Sequence, residues 1–275
     1  MTMAPETAPV VLVTGCSSGI GRATARRFRA AGWRVWATSR DPTDITDLAD
    51  AGCRTAALDV TDGAQIERVV ERAVERDGRI DCLVNNAGFG QAGAIEEVPV
   101  DRLRAQFDVN VFGPVRLVRA VLPQMRTAGG GTIVNVSSLV GRVTYPTRGA
   151  YAGSKHALEA LSDTLRAEVG GFGVDVVLVE PGTVRTGFED RLRETESVLD
   201  ERPSYARLRQ LIDGAQRLAE RRGMPPIHVA DVIYRAATAD DPKRRYVVGW
   251  DARLAIVADR VIPTRLTDWL YRTLS

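Results

Sequence analysis

Side chains that bind metals or form covalent bridges are scarce in this chain of 275 residues, which holds three cysteines and two histidines. Cys16, Cys53 and Cys82 are odd in number and fall at no metal-ligand spacing, so neither a disulfide framework nor a thiolate metal site is expected. His156 and His228 lie far apart and pair with no cysteine, so no metal is expected there either. No stretch approaches the roughly 18 consecutive apolar residues of a membrane-spanning helix. Residues 1–8 are polar and carry no apolar core of a secretory leader. A reduced, cytoplasmic setting is the expectation. The formal net charge is only +2, and the arginines are interleaved with Asp and Glu. That leaves no strong field for nucleic acid or an anionic membrane. No repeat, low-complexity linker or compositional break separates two domains.

Hydrophobic residues make up 44% of the chain, enough for a substantial core. Short β-branched runs alternate with longer helical patterns. Residues 9–13, 34–38, 55–58, 80–84, 132–136 and 174–179 read as strands, the first as nearly continuous apolar sequence suited to burial on both faces. Helices are expected over 19–31, after an N-cap at Thr61, over 101–128, and from Tyr151 to about residue 169. This alternation predicts an α/β fold with a doubly wound parallel sheet, Rossmann-type, as a single domain over 1–275. Residues 10–186 would form the core. Residues 187–226 are too long for an ordinary connection and carry an apolar face of Tyr205, Leu208, Leu211, Ile212, Ala215 and Leu218, as a substrate lid would. Residues 250–275 are amphipathic as well. That segment could pack on the body, at a subunit interface or on a membrane surface.

The chemistry concentrates in four places. Tyr151 and Lys155 are four apart, so a helix stacks them on one face. Lys155 is one of only two lysines against 35 arginines. A compact ammonium beside a phenol favours the phenolate, so the Tyr151 pKa is expected below its usual value of about 10. The loop Thr14-Gly15-Cys16-Ser17-Ser18-Gly19-Ile20-Gly21 follows a strand and opens a helix, where backbone amides and the helix dipole suit a pyrophosphate. Ser39-Arg40 ends the second strand. An NAD site usually has a carboxylate there for the ribose 2′-hydroxyl. A serine with a guanidinium favours the 2′-phosphate of NADP instead, although Asp41 could neutralise Arg40. Asparagines number four: Asn85, Asn86, Asn110 and Asn135. Asn110 sits inside an expected helix, where an amide needs a specific hydrogen bond.

Taken jointly, the glycine loop, Asn85-Asn86-Ala87-Gly88, Ser138, Tyr151-Ala152-Gly153-Ser154-Lys155 and Pro181-Gly182 resemble the short-chain dehydrogenase/reductase family, in its order and spacing. The resemblance covers about residues 10–186. It implies a catalytic set of Asn110, Ser138, Tyr151 and Lys155, with Asn110 fixing a water. It implies cofactor contacts from Gly15, Ser17, Ser18, Gly19, Ile20 and Gly21, from Ser39 and Arg40, and from Asp59 and Val60 at the adenine. Asn86, Ala87 and Gly88 would follow, then Tyr151 and Lys155 at the ribose, and Pro181, Gly182, Thr183 and Thr186 at the carboxamide and phosphates. The glycine loop with Ser39-Arg40 is similar to NADP-preferring hydroxysteroid and retinol dehydrogenases. The implied activity is NADP-dependent hydride transfer to or from a lipophilic alcohol, ketone or aldehyde, by a homo-oligomer, dimer or tetramer. A non-catalytic NADP-binding regulator and a sugar, polyol or epimerase-type enzyme are the competing readings.

Overall fold

β1 (Val10–Val13) is an unbroken apolar tetrapeptide with every side chain buried, and it becomes an interior strand of the sheet. It pairs in parallel with β2 (Arg34–Ser39) on one side and β4 (Cys82–Asn85) on the other. β3 (Arg54–Ala57) extends the β2 edge. β5 (Gly131–Val136), β6 (Val174–Pro181) and β7 (Arg245–Val248) extend the β4 side. The order is β3-β2-β1-β4-β5-β6-β7, every pair parallel. The chain winds outward from β1 in both directions, so the β1/β4 boundary is the switch point where a crevice opens at the carboxyl ends. The expected doubly wound, Rossmann-type single domain is what the structure shows. β7 is a strand beyond the six read from sequence. The structure, a computed structural model, describes residues 8–196, 199 and 202–274.

Helices cover both faces. α1 (Gly19–Ala30), the short α2 (Thr46–Asp50) and, late in the chain, α9 (Pro226–Ala237) pack one face around Phe28, Leu48, Val229 and Ile233. α3 (Gly63–Asp77), α5 (Gly113–Thr127) and α6 (Gly149–Val169) pack the other around Ile66, Val70, Leu117 and Val121. α3 departs from expectation at its start. Asp62, not Thr61, is the N-cap, accepting from the Gln65 N–H at 3.0 Å. The Thr61 hydroxyl donates to Asp59 at 2.7 Å instead.

The helix expected over 101–128 is divided. α4 (Val100–Phe107) passes into a π turn, Asp108–Phe112, before α5 begins. Pro114 has no N–H to give to the carbonyl of Asn110, so the regular ladder cannot continue there. The insertion after β6 holds two helices, α7 (Phe188–Glu196) and α8 (Ala206–Arg221). The tail forms α10 (Trp250–Val261) and α11 (Thr264–Leu274). Among the described residues no helix is long and apolar enough to cross a membrane.

Candidate active site

A cleft of about 1440 Å³ runs along the carboxyl ends of the strands. Its first end is built by the turn from β1 into α1. Gly15 adopts φ +71 there, a left-handed backbone that glycine accepts freely. The turn is held from behind. Asn86 Nδ2 donates to the carbonyls of Thr14 and Gly15 at 2.9 and 3.1 Å. The Thr14 hydroxyl accepts from the N–H groups of Asn86 and Ala87 at 3.0 and 3.1 Å. Gly21 lies behind the cleft wall, where a side chain would collide with the Gly15 carbonyl and the Asn86 amide. The N-cap Ser18 makes no side-chain cap hydrogen bond, which leaves the first amides of α1 available to an anion.

The β2 and β3 ends form the next wall. Ser39 is buried; Arg40 is exposed, lines the cleft and makes no ion pair among the described residues. Asp41 does not neutralise it. The Asp41 carboxylate accepts from the Thr43 N–H at 2.9 Å and the Thr43 hydroxyl at 2.8 Å, bonds that hold its pKa below the usual carboxylate range. Asp59 and Val60 line the same wall, with Asp59 fixed by the Thr61 N–H at 2.9 Å.

At the other end, α6 carries Tyr151 and Lys155 on one face. The phenol lies within hydrogen-bonding reach of the Ser138 hydroxyl, which also accepts from Val140 N–H at 3.3 Å. The Tyr151 ring rests 5.2 Å from the ring of Phe188 on α7. Lys155 is buried, and its Nζ donates to the Val136 carbonyl at 2.8 Å, 5.9 Å from the centre of the Tyr151 ring. The expected lowering of the Tyr151 pKa is not what this environment gives. Burial pushes the phenol up, the Ser138 hydrogen bond opposes this, and Glu189 adds to the rise. Lys155 is itself pushed down to about 8 by burial.

Asn110 does not line the cleft. Its side chain bonds both backbone groups of Phe89, accepting from the N–H at 3.1 Å and donating to the carbonyl at 2.9 Å. It also donates to Ser154 Oγ at 3.1 Å, and that hydroxyl donates to the Tyr151 carbonyl at 2.7 Å. The amide thus ties the π turn, the loop after β4 and the turn of α6 that bears Tyr151. The remaining candidate residues, from Ser17, Ser18, Gly19 and Ile20 to Gly88, Pro181, Gly182, Thr183 and Thr186, all line the cleft.

Three features escaped the sequence. Asp251, in the first turn of α10, accepts from the Thr183 N–H at 2.7 Å and lines the cleft. Arg148, 1% exposed, ties the start of α6 to the insertion after β6, with Glu196 of α7 and Asp213 of α8 each at 3.5 Å and Gln216 as a further partner. One turn beyond Lys155, Glu159 shares Arg245 with Glu180, the Arg245 Nε being 3.0 Å from the first and 3.1 Å from the second. Burial, opposed by a Ser137 hydrogen bond and reinforced by Glu180, pushes the Glu159 carboxyl up. None has a local signature, since each pairs residues far apart in the chain. Cys16, also in the cleft's first turn, is a packing residue: burial pushes its thiol up to about 12.

A family model described as short chain dehydrogenase matches residues 9–197. The 3-ketodihydrosphingosine reductase of Bacteroides thetaiotaomicron is 35% identical over 243 residues, covering 87% of each chain. The NADPH-dependent 3-dehydrocapnine reductase of Ornithobacterium rhinotracheale is 34% identical over 269 residues, 94% of this chain and 95% of that one. Among solved structures, a short-chain dehydrogenase from Streptomyces avermitilis matches with a TM-score of 0.82 at 37% identity, over 98% of both chains. A short-chain dehydrogenase/reductase from Burkholderia phymatum in complex with NAD matches with a TM-score of 0.78 at 28% identity, over 98% of this chain and 97% of that one.

Proposed function

The chain belongs to the short-chain dehydrogenase family, an oxidoreductase family, and on that footing we propose that it is an NADP-dependent reductase of lipophilic ketones or aldehydes. The observation that carries this reading is the pairing of the Tyr151 phenol with Ser138 at the end of the cleft opposite the glycine loop. The cleft fits the cofactor: a left-handed Gly15, the open amides of α1 and the exposed Arg40 suit phosphate groups. Ser17, Ser18, Gly19 and Ile20 would hold the pyrophosphate, Arg40 the 2′-phosphate, Asp59 and Val60 the adenine, and Lys155 the nicotinamide ribose. Pro181, Gly182, Thr183 and Thr186 would hold the carboxamide end. Bound nicotinamide supplies or receives the hydride.

Every other step falls to side chains of the chain. Tyr151 donates its phenolic proton to the carbonyl oxygen as negative charge develops there. A phenol whose pKa is raised by burial keeps that proton across the neutral range, which suits reduction. Ser138 gives the same oxygen a second hydrogen bond and fixes its position. Lys155 supports the phenolate left behind, and Asn110 positions Tyr151 through Ser154. Phe188, Leu192, Ile212 and Ala215 of the lid line the cleft, and this apolar wall supports a lipophilic substrate. So does the similarity to the 3-ketodihydrosphingosine and 3-dehydrocapnine reductases.

The test is NADPH oxidation with a panel of long-chain ketones, steroids, retinoids, sugars and short carbonyls. Tyr151→Phe should lower turnover by about 10²–10⁴ while cofactor binding persists, the usual worth of a positioned acid. Near-normal turnover in that variant would remove Tyr151 from the mechanism. Turnover of sugars or polyols alone would overturn the substrate class.

A further inference from the structure

α10 is amphipathic the wrong way round for a helix on the surface of an α/β body. Its inner face holds small or buried residues, Ala252 and Ile256. Its outer face holds Trp250 at 64% exposure, Leu254, Val257, and Val261 at 74%. These stand at i, i+4, i+7 and i+11, so they form one ridge about 16 Å long. α11 carries a second apolar set, Leu266, Trp269 and Leu270, all exposed. Scattered exposed apolar side chains need no explanation, but a ridge of four on one helix, with three more exposed on the next, marks something that covers it.

We propose that the outer face of α10 and α11 docks on the surface of an anionic lipid bilayer. Charge points to that occupant. Arg253, Arg260, Arg265 and Arg272 flank the ridge and are exposed, against Asp259 and Asp268. Four less two leaves a local excess of +2, which the near-neutral balance of the whole chain conceals. Asp251 does not reduce it at the surface, since its carboxylate is engaged inward with the Thr183 N–H. Arginine can grip lipid phosphates while its stem lies along apolar surface, and tryptophan suits the headgroup level. A second copy is the weaker fit. A two-fold contact sets a patch against itself, so an excess of +2 would face the same excess on the other copy.

Position also favours a bilayer. Asp251 and Ala255, on the inner side of α10, line the cleft. The helix is therefore wall to the active site on one side and apolar ridge on the other. A lipophilic substrate would pass from the acyl layer into the cleft without crossing water. That route, though not the docking itself, rests on the substrate class proposed above.

The test is co-flotation of the full chain with vesicles, in the absence of substrate, so that its outcome is independent of the reaction. The probes are phosphatidylcholine vesicles with and without about 30 mol% phosphatidylglycerol, near 0.1 M salt where surface charges still act. Wild type should bind the anionic vesicles at least tenfold more tightly than the neutral ones. The double variant Leu254→Glu with Val257→Glu should lose at least tenfold in binding while keeping its thermal midpoint and its turnover of a water-soluble ketone. Arg253→Glu with Arg260→Glu should abolish the preference for anionic lipid. No binding by wild type, or binding unchanged in the ridge variant, overturns the proposal. So does a wild type that sediments as a dimer and becomes a monomer in the ridge variant, because a second copy then covers the ridge.

Discussion

The ammonium of Lys155 bonds the carbonyl of Val136 at 2.8 Å, not the phenol that shares its helix face. The slot around it is closed, and burial pushes its pKa down to about 8. Reduction leaves negative charge on Tyr151, which a charged lysine supports and a neutral one does not. The rate of reduction should therefore fall as pH rises through about 8. Lys155→Arg keeps the charge but forces a planar guanidinium into the slot. Turnover should drop by about 10²-fold or more, comparable to removing a positioned catalytic group. The residual activity should show no inflection in that range. Steady-state rates across pH for both proteins check this; an active arginine variant with an unchanged profile would count against it.

Cofactor choice should follow Arg40. It makes no ion pair among the described residues, and Asp41 is engaged with Thr43 instead. A charge-assisted phosphate contact is worth roughly 1.5–3 kcal/mol, or about ten- to a hundredfold. Wild type should prefer NADPH to NADH by that order. Ser39→Asp combined with Arg40→Ala should reverse the preference. Equal use of both cofactors by wild type at low salt, where the contact is strongest, would refute the assignment.

Glu159 makes a prediction about stability. Its carboxyl is raised in the folded protein above its ordinary value of 4.5, chiefly by burial. A raised pKa means that folding favours the protonated form. The stability this contributes is complete below about pH 4.5 and is lost as pH rises toward neutrality. Glu159→Gln carries a permanent neutral group of similar shape. Relative to wild type, its thermal midpoint should therefore improve on going from pH 5 to pH 7, by about 2–4 °C for each 1 kcal/mol involved. Parallel midpoint curves for the two proteins would mean that Glu159 does not titrate there.

Asp251 should act on cofactor binding. Its carboxylate fixes the Thr183 N–H, one residue beyond Gly182, where an added side chain would strike that same carboxylate. Asp251→Ala should raise the KM for NADPH about tenfold, the worth of one charge-assisted hydrogen bond, and change kcat less. An unaltered KM would show that the loop holds its shape without Asp251.

The parts of the molecule legible in sequence are those whose cause is local. Val10–Val13 announces a buried strand by composition, and the glycines after it announce a turn by the backbone they permit. Asn110 was conspicuous as an amide inside a helix, and Gly113-Pro114 beside it is the local reason for the π turn. Thr61 misled because two adjacent residues can both cap, and only side-chain geometry selects Asp62. β7 is faint in sequence: Arg245 and Tyr246 begin an edge strand whose apolar signal is only two valines long. The pKa of Tyr151 is not legible in sequence, because desolvation is a property of the packed cleft, not of the Tyr/Lys spacing. Asp251 and Arg148 belong to contacts that close only when distant segments meet.

One pair in the sheet has a further effect. Asn85 on β4 donates to Asn135 on β5 at 2.8 Å, and Asn135 donates to Ser162 of α6 at 2.8 Å. The central strands are apolar on both faces, so alternation of side chains gives them little preference among sliding registers. A slip of one residue would separate the two amides and strand them in a dry interior. The polar pair thus works as a molecular key cut for a single alignment. Because Asn86 and Ser138 lie just past the keyed positions, the alignment that folding is forced to choose also sets the loop-holding amide and the candidate catalytic hydroxyl at matching depths. Errors in assembling the sheet would be rejected as misfolded chain rather than tolerated as sluggish enzyme.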